Sequence, residues 1–167
     1  ADDETHRAHA IIVATGAKAK WLGLESEHEL QNHGVSACAT CDGFFFKEQE
    51  VCVVGGGDTA CEEALYLAGL CSKVTLIHRR QEFRASKIMS DRVRQHPKIE
   101  LLLDSAVTEV LDVSKKKVTG VKVKNLVTGD EQLKACTGLF IAIGHEPNTK
   151  LFKGVLDTDE LGYLKTK

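Results

Sequence analysis

The sequence predicts an α/β fold in which a parallel sheet with helices carries an appended three-stranded antiparallel β-meander. Short, fully apolar runs favour buried parallel strands, and a helical segment follows the first of the central ones. Between positions 107 and 136, apolar and polar residues partly alternate and turn residues separate the runs, which favours antiparallel hairpins. We therefore expect one main domain that combines the two kinds of sheet.

The elements of the parallel part follow one another as strand, glycine turn, helix and strand. The predicted elements are a strand at residues 51–54, a helix from Asp58 or Thr59 to Gly69, a strand at 74–78, a helix at 84–96 ended by Pro97, and strands at 99–103 and 139–143. The predicted strands of the meander are residues 107–113, 118–124 and 132–136. A strand–helix–strand unit of this kind implies parallel strands with a right-handed crossover.

The two ends of the chain differ from its centre. Residues 10–14 predict one more buried strand with little around it to pack against, and no clear element is predicted beyond Pro147. We expect residues 22–146 to form the self-sufficient domain, and residues 1–21 and 147–167 to be linkers or remnants of a neighbouring domain. The only methionine is Met89, so the chain reads as processed or as a piece of a longer protein.

Composition excludes several classes of function. A chain of 167 residues that is 43% hydrophobic and 28% charged is globular rather than disordered. A formal net charge of −2 gives no signal for nucleic acid. No apolar run approaches the ~20 residues that span a bilayer, and the acidic N-terminus is not a signal peptide. We expect a cytoplasmic protein with neither nucleic acid nor membrane as a partner.

The glycine turn after the first central strand has the pattern G-x-G-x-x-A. Its first glycine permits a tight turn, its second lets a pyrophosphate approach the backbone, and its small last residue lets the helix pack on the strand. The N–H groups at the start of the helix then meet the phosphates. A turn used only for packing is the alternative. The residues predicted to bind a dinucleotide here are Gly55, Gly56, Gly57, Asp58, Thr59 and Ala60.

A cluster of basic residues occupies the position where an NAD-binding site would have an acidic residue. The second central strand ends in His78, Arg79 and Arg80, and Arg84 follows one turn later. A phosphate on the ribose 2′-oxygen would be repelled by a carboxylate and bound by guanidinium groups. The sequence therefore favours NADPH over NADH. The alternative is a solvated, basic start of a helix.

Cys38 and Cys41 are the only tight pair among the six cysteines. Two cysteines three apart, at a turn or in a first helical turn, can close a small disulfide and expose one reactive thiolate. Asp42 could donate or accept a proton beside them. Zinc, which needs four ligands, and a purely structural pair are the alternatives, and we predict no metal site. The remaining cysteines are predicted to be core residues: Cys52, Cys61, Cys71 and Cys136.

Taken together, these motifs resemble those of low-molecular-weight thioredoxin reductases, which are pyridine nucleotide-disulfide oxidoreductases. The matching segments are residues 38–43 (CATCDG), 55–60 (GGGDTA), 62–64 (EEA), 78–80 (HRR), 84–87 (RASK) and 143–149 (IGHEPNT). The resemblance implies a Rossmann-like NADPH domain that carries the redox-active disulfide and is inserted into a FAD domain. It also implies a homodimeric enzyme that acts on thioredoxin.

The resemblance assigns roles to individual residues. Cys41 would face the flavin, Cys38 would attack the disulfide of thioredoxin, and Asp42 would protonate a leaving thiolate. The three arginines would bind the 2′-phosphate, and Ile143 and Gly144 would lie near the nicotinamide. Hinges are expected at residues 19–21 and 145–147.

The FAD fingerprints of the family do not occur in this sequence. We therefore expect the chain alone to bind NADPH and hold a disulfide without turnover. The alternatives are the flavoprotein reductase of a peroxiredoxin and a stand-alone NADPH-binding redox sensor. A ferredoxin–NADP reductase of the same fold usually lacks the cysteine pair.

Overall fold

The computed structural model describes residues 4–166 and has four helices and ten strands within them. The strands are β1 (Ala17–Ala19), β2 (Val35–Ser36), β3 (Glu50–Gly55), β4 (Lys73–Ile77), β5 (Ile99–Leu102), β6 (Ser105–Val110), β7 (Gly120–Asn125), β8 (Glu131–Ala135), β9 (Gly138–Ala142) and β10 (His145–Pro147). The helices are α1 (Glu25–Glu29), α2 (Ala39–Asp42), α3 (Asp58–Leu70) and α4 (Lys87–Gln95). No helix within residues 4–166 is both long and apolar enough to cross a bilayer.

The predicted combination of sheets is confirmed. A five-stranded parallel sheet has the order β2-β9-β3-β4-β5, and a three-stranded antiparallel sheet has the order β6-β7-β8. The parallel sheet begins with the short edge strand β2, which the sequence analysis did not predict. The next strand in the sequence after β3 is β4, which pairs with one edge of β3, whereas β9 pairs with its other edge. The strand order therefore reverses beside β3, where ligands of open α/β sheets bind.

Two apolar cores cover the two faces of the parallel sheet. Because successive side chains of a strand point to opposite faces, Val51 and Val53 pack with α3 and α4, whereas Cys52 and Val54 pack with the valines of the meander. The molecule between residues 19 and 144 thus has three layers, with helices, parallel sheet and meander in that order. The layers position the carboxyl ends of β3, β4 and β9 side by side.

The contacts divide the chain into two compact units. One unit consists of residues 19–144 and holds both cores. The other consists of the two terminal segments, up to Lys18 and from His145. Within this terminal unit, the backbone N–H and the side-chain amide of Asn148 donate to the carbonyl groups of Gly16 and Thr15, respectively, each at 2.9 Å.

The predicted strand at residues 10–14 is wrong. These residues form no regular element, and the side chains of Ile11 and Ile12 are 84% and 92% exposed. An apolar run becomes a buried strand only where neighbouring strands pair with it, and the described residues provide no partner at this point.

The predicted start of the second helix is also wrong. Helix α4 begins at Lys87 rather than at Arg84. The N–H groups of Arg84 and Ala85 both donate to the carbonyl oxygen of Gly56, at 2.7 and 3.1 Å. These bonds hold the segment before α4 against the glycine turn, and they place Arg84 beside the turn instead of on a helix.

Candidate dinucleotide and dithiol site

The glycine turn is closely packed on one side and open on the other. A Cβ at Gly55 would lie 2.3 Å from the carbonyl oxygen of Ala142 and 2.6 Å from the Cβ of Ala60. A Cβ at Gly56 would lie 2.2 Å from the imidazole of His78. A Cβ at Gly57 would meet no atom within 4 Å. Packing therefore requires the first two glycines, whereas the third leaves the start of α3 open to a ligand.

A cavity of about 680 Å³ lies above this turn, within the unit of residues 19–144. The ends of β3, β4 and β9 all contribute to its walls. Of the twelve residues predicted to bind the dinucleotide, eleven line it: Gly55, Gly56, Gly57, Asp58, Thr59, His78, Arg79, Arg80, Arg84, Ile143 and Gly144. Ala60 is instead fully buried beneath Gly55 and acts through packing. The sequence thus predicted residues that the fold brings to one place.

The cavity has a strongly basic end. The side chains of Arg79, Arg80 and Arg84 all line it, and none of the ion pairs among residues 4–166 uses their guanidinium groups. The nearby carboxylate of Asp58 is already engaged. It accepts hydrogen bonds from the N–H and the hydroxyl of Ser86, at 2.9 and 2.8 Å, and these bonds lower its pKa. The three guanidinium groups therefore remain available for an anionic ligand.

The side chain of His78 supports the turn. It is only 6% exposed, its Nε2 lies 3.1 Å from the carbonyl oxygen of Glu82, and its ring packs against Gly56 and Phe83. Burial lowers the pKa of this imidazole, and the charges of Arg79 and Arg80 lower it further. We therefore interpret His78 as a neutral spacer at the base of the cavity.

The cysteine pair forms the start of a short helix, as predicted. Cys38 and Cys41 are joined by a disulfide, with their Cα atoms 5.3 Å apart. Cys38 is the N-cap of α2, and its Sγ accepts the N–H of Cys41 at 3.2 Å. Cys41 is exposed and Cys38 is half-buried. The pair is thus accessible from one side, where a helix N-terminus favours a thiolate.

Ser36 is a site residue that the sequence analysis missed. Its buried hydroxyl donates to Oδ2 of Asp42 at 2.6 Å and accepts the N–H of Cys38 at 3.1 Å. A serine that accepts the N–H two residues later is a common local turn, so the sequence did contain a signal. Ser36 therefore fixes the acid beside the dithiol.

A second cavity, of about 490 Å³, opens onto this group. Cys38, Cys41, Asp42 and Ser36 line it together with Trp21. Trp21 also lines the dinucleotide cavity, so the two cavities share this residue. The fold thus brings the two predicted constellations together.

The other four cysteines are core residues, as predicted. Burial is the main cause that raises the pKa of the Cys71 thiol and raises that of Cys61 to about 11. A hydrogen bond with Cys136 and burial raise the pKa of Cys52. The thiols of Cys52, Cys61 and Cys71 therefore stay protonated near neutral pH, and the accessible pair of Cys38 and Cys41 is the candidate reactive pair.

Comparison with known proteins agrees with this fold. The family model for pyridine nucleotide-disulphide oxidoreductases matches residues 1–167, and the chain belongs to this family. Within it, the chain is 55% identical over 163 residues to a thioredoxin reductase of Rickettsia felis, which covers 97% of the chain and 53% of the relative. It is 50% identical over 165 residues to a thioredoxin reductase of Mycolicibacterium smegmatis, covering 99% and 52%. The resemblance to thioredoxin reductases that the motifs indicated is therefore confirmed.

Solved structures show the same similarity. The thioredoxin reductase of Lactococcus lactis superposes with a TM-score of 0.87 at 40% identity, over 99% of the chain and 55% of that structure. The thioredoxin reductase of Giardia duodenalis superposes with a TM-score of 0.82 at 44% identity, over 89% and 48%. The chain spans about half the length of the curated relatives it matches.

Proposed function

We propose that this chain is the NADPH-binding, dithiol-carrying part of a thioredoxin-disulfide reductase. The observation that carries the proposal is the single cavity in which a glycine turn faces three guanidinium groups without an ion-pair partner among residues 4–166. The neighbouring disulfide supports the redox role. The names of the matched relatives favour thioredoxin over a peroxiredoxin as the acceptor.

The lining of the cavity fits NADPH. The N–H groups at the start of α3, from Gly57 to Thr59, would bind the pyrophosphate. Arg79, Arg80 and Arg84 would bind the 2′-phosphate, and Ile143 and Gly144 would lie beside the nicotinamide. When bound, NADPH supplies a hydride, that is, two electrons and one proton. Close packing around Gly55 and Gly56 fixes the direction of these N–H groups before a ligand binds.

The dithiol would carry the two electrons to the protein substrate. Reduction of the disulfide breaks the bond between the two sulfur atoms and adds one proton to each. In our proposal Cys41 accepts the electrons and Cys38 attacks the disulfide of thioredoxin. Asp42, held by Ser36, would donate the proton to the thiolate that leaves. Cys41 is the more exposed of the two cysteines, so the division of roles needs a direct test. Replacing each cysteine singly by serine and trapping a mixed disulfide with thioredoxin provides that test.

We assign no residue of this chain to a flavin. The glycine-rich turn that meets a helix N-terminus within residues 4–166 faces the dinucleotide cavity, and the cavity beside the dithiol has no such turn. Neither of these two cavities therefore offers a second site of this kind, and we derive no step through FAD for this chain. In the family resemblance, FAD is the carrier between NADPH and the disulfide.

Calorimetric titration of the chain with NADPH and with NADH tests the nucleotide assignment. We expect the chain to bind NADPH at least tenfold more tightly, because two or more charge-assisted bonds hold the 2′-phosphate. The double variant Arg79→Ala/Arg80→Ala should lose most of this preference while it still binds NADH.

A matched control removes the same charge elsewhere. The variant Lys117→Ala/Lys124→Ala loses two exposed positive charges that do not line the cavity, and it should keep the preference for NADPH. Equal affinity of the unmodified chain for NADPH and NADH would contradict the proposal.

A further inference from the structure

Glu27 is a buried acid that the proposed function does not use. It lies on α1 and is 1% exposed. Its Oε1 accepts the backbone N–H of Leu22 and its Oε2 accepts that of Gly23, each at 2.9 Å. A buried carboxylate is costly unless hydrogen bonds replace the water that it loses. Since both of these bonds go to the segment just before α1, Glu27 holds that segment in place.

The sequence around α1 explains why this acid turns back. Glu27 is the third residue of the helix, and an acid at this position commonly reaches back to backbone N–H groups at the helix start. The N-cap residue, Leu24, has no side chain that could accept them. Leu22 and Leu24 also pack against the core that lies between the parallel sheet and the meander. The segment is therefore fixed by hydrogen bonds and by apolar packing.

Trp21 lies between two anchored neighbours. On one side, the N–H of Lys20 donates to the carbonyl oxygen of Gly144, just after β9, at 3.0 Å. On the other side, the N–H of Leu22 is held by Glu27. Trp21 itself lines both cavities and is 37% exposed. The anchored backbone thus presents this residue at the dinucleotide cavity with part of its surface uncovered.

We propose that Trp21 binds the nicotinamide half of the dinucleotide and that Glu27 is the positioning residue for Trp21. The inference deepens the proposed function and rests on it. The bond between Lys20 and Gly144 joins Trp21 to the part of the cavity assigned to the nicotinamide. A flat ligand ring that covers an indole removes apolar surface from water and gains stacking energy. Loss of Glu27 would release the backbone on one side of Trp21.

The test compares two ligands that differ in the nicotinamide ring, NADPH and 2′-phospho-ADP-ribose. Calorimetric titration of the 167-residue chain gives the dissociation constant of each. We expect Trp21→Ala to weaken the binding of NADPH about tenfold, which is the scale of one aromatic contact. The same variant should leave the binding of 2′-phospho-ADP-ribose unchanged, because that ligand lacks the ring. Trp21→Phe keeps an aromatic ring and should lose less affinity than Trp21→Ala.

Variants of Glu27 test the positioning role. Glu27→Ala removes both acceptors and should weaken the binding of NADPH but not that of 2′-phospho-ADP-ribose. Glu27→Gln keeps one oxygen acceptor, so it should cause a smaller loss of the same kind, and it serves if Glu27→Ala does not fold. In the Trp21→Ala background either change should add almost nothing, because residues that act through one contact are not additive. Glu29→Ala removes an exposed acid from the same helix and is the matched control, which should bind both ligands as the unmodified chain does.

Each outcome supports or overturns the inference. An unchanged affinity for NADPH in Trp21→Ala overturns it, and so does an equal loss for 2′-phospho-ADP-ribose, because Trp21 would then not act through the nicotinamide. A Glu27 effect that is as large in the Trp21→Ala background as alone overturns the positioning role. If the unmodified chain prefers NADPH to NADH and only the expected losses are absent, the proposed function stands. If the unmodified chain binds neither nucleotide, both proposals fail.

Discussion

Ser36 determines where the acid beside the dithiol points. Its hydroxyl donates to Asp42 while its oxygen accepts the N–H of Cys38, so one buried side chain joins the acid to the first cysteine. Without this hydroxyl, the N–H of Cys38 and the carboxylate of Asp42 would both lose a partner in a partly buried place. The orientation of Asp42 therefore depends on a residue that does not itself react.

Ser36→Ala should weaken both the fold and the proton donation. We expect a loss of about 1–2 kcal/mol in the free energy of unfolding, because two hydrogen bonds are lost. We also expect the reduced chain to reduce thioredoxin more slowly, on the order of tenfold, because Asp42 is no longer aligned. Thermal unfolding and stopped-flow fluorescence of thioredoxin measure the two effects.

Ser36→Thr keeps a hydroxyl and should restore most of both properties. Ser114→Ala, in an exposed turn of the meander, controls for the loss of a serine alone. A rate in Ser36→Ala equal to that of the unmodified chain would show that the serine does not position the acid.

The grouping of residues that belong to short local motifs was predictable. The glycines, the arginines and the cysteine pair each belong to a short motif, and the structure brings them to two neighbouring cavities. The engaged carboxylate of Asp58 was not predictable, because its partner Ser86 lies in the segment before α4 and meets it only through the fold.

A small network of charges ties the parallel sheet to the meander. The carboxylate of Glu100, on β5, pairs with Lys73 on β4 at 2.6 Å and with Lys134 on β8. The bond with Lys134, followed by that with Lys73, lowers the pKa of Glu100. A lowered pKa means that this carboxylate stabilises the folded chain when it is ionised. That contribution is present above the pKa of the unfolded chain and is lost as the pH falls through the lowered value.

Glu100→Gln should therefore destabilise the chain in a pH-dependent way. Near pH 7 we expect the free energy of unfolding to fall by roughly 1 kcal/mol, which is the upper end of the range for partly exposed ion pairs. Well below the pKa of Glu100, where the acid is protonated in both states, the variant and the unmodified chain should unfold alike. Urea unfolding at the two pH values measures this difference.

Glu109→Gln breaks an ion pair with Lys122 that lies within the meander and is the matched control. Its effect should be smaller, because that pair joins two strands that already share a ladder of hydrogen bonds. If Glu100→Gln lowered the free energy of unfolding by the same amount at both pH values, the contribution of Glu100 would not depend on its ionisation, and the prediction would be wrong.

Strands and helices were predictable where the pattern is repeated over several residues. The glycine-turn helix α3 starts at Asp58, as predicted, and the three meander strands were placed within a few residues. Residues 84–86 were predicted to begin the second helix, but hydrogen bonds to Gly56 and Asp58 hold them outside α4. The short strand β2 contains two residues, too few for a periodic signal.

The position of both cavities follows from the way the chain is layered. Helices cover one face of the parallel sheet and the meander covers the other, so ligands reach it at the ends of its strands. The reversal of strand order beside β3 leaves a crevice there, and the glycine turn and the arginines meet in it. The fold thus explains why residues far apart in the sequence form one basic, glycine-lined cavity.

A crystal structure of the chain with bound NADP⁺ tests this account most directly. We expect the 2′-phosphate to lie within hydrogen-bond distance of at least two of Arg79, Arg80 and Arg84, with the pyrophosphate against the N–H groups of Gly57 and Asp58. A nucleotide bound with its 2′-phosphate in solvent, or bound away from the glycine turn, would contradict the account.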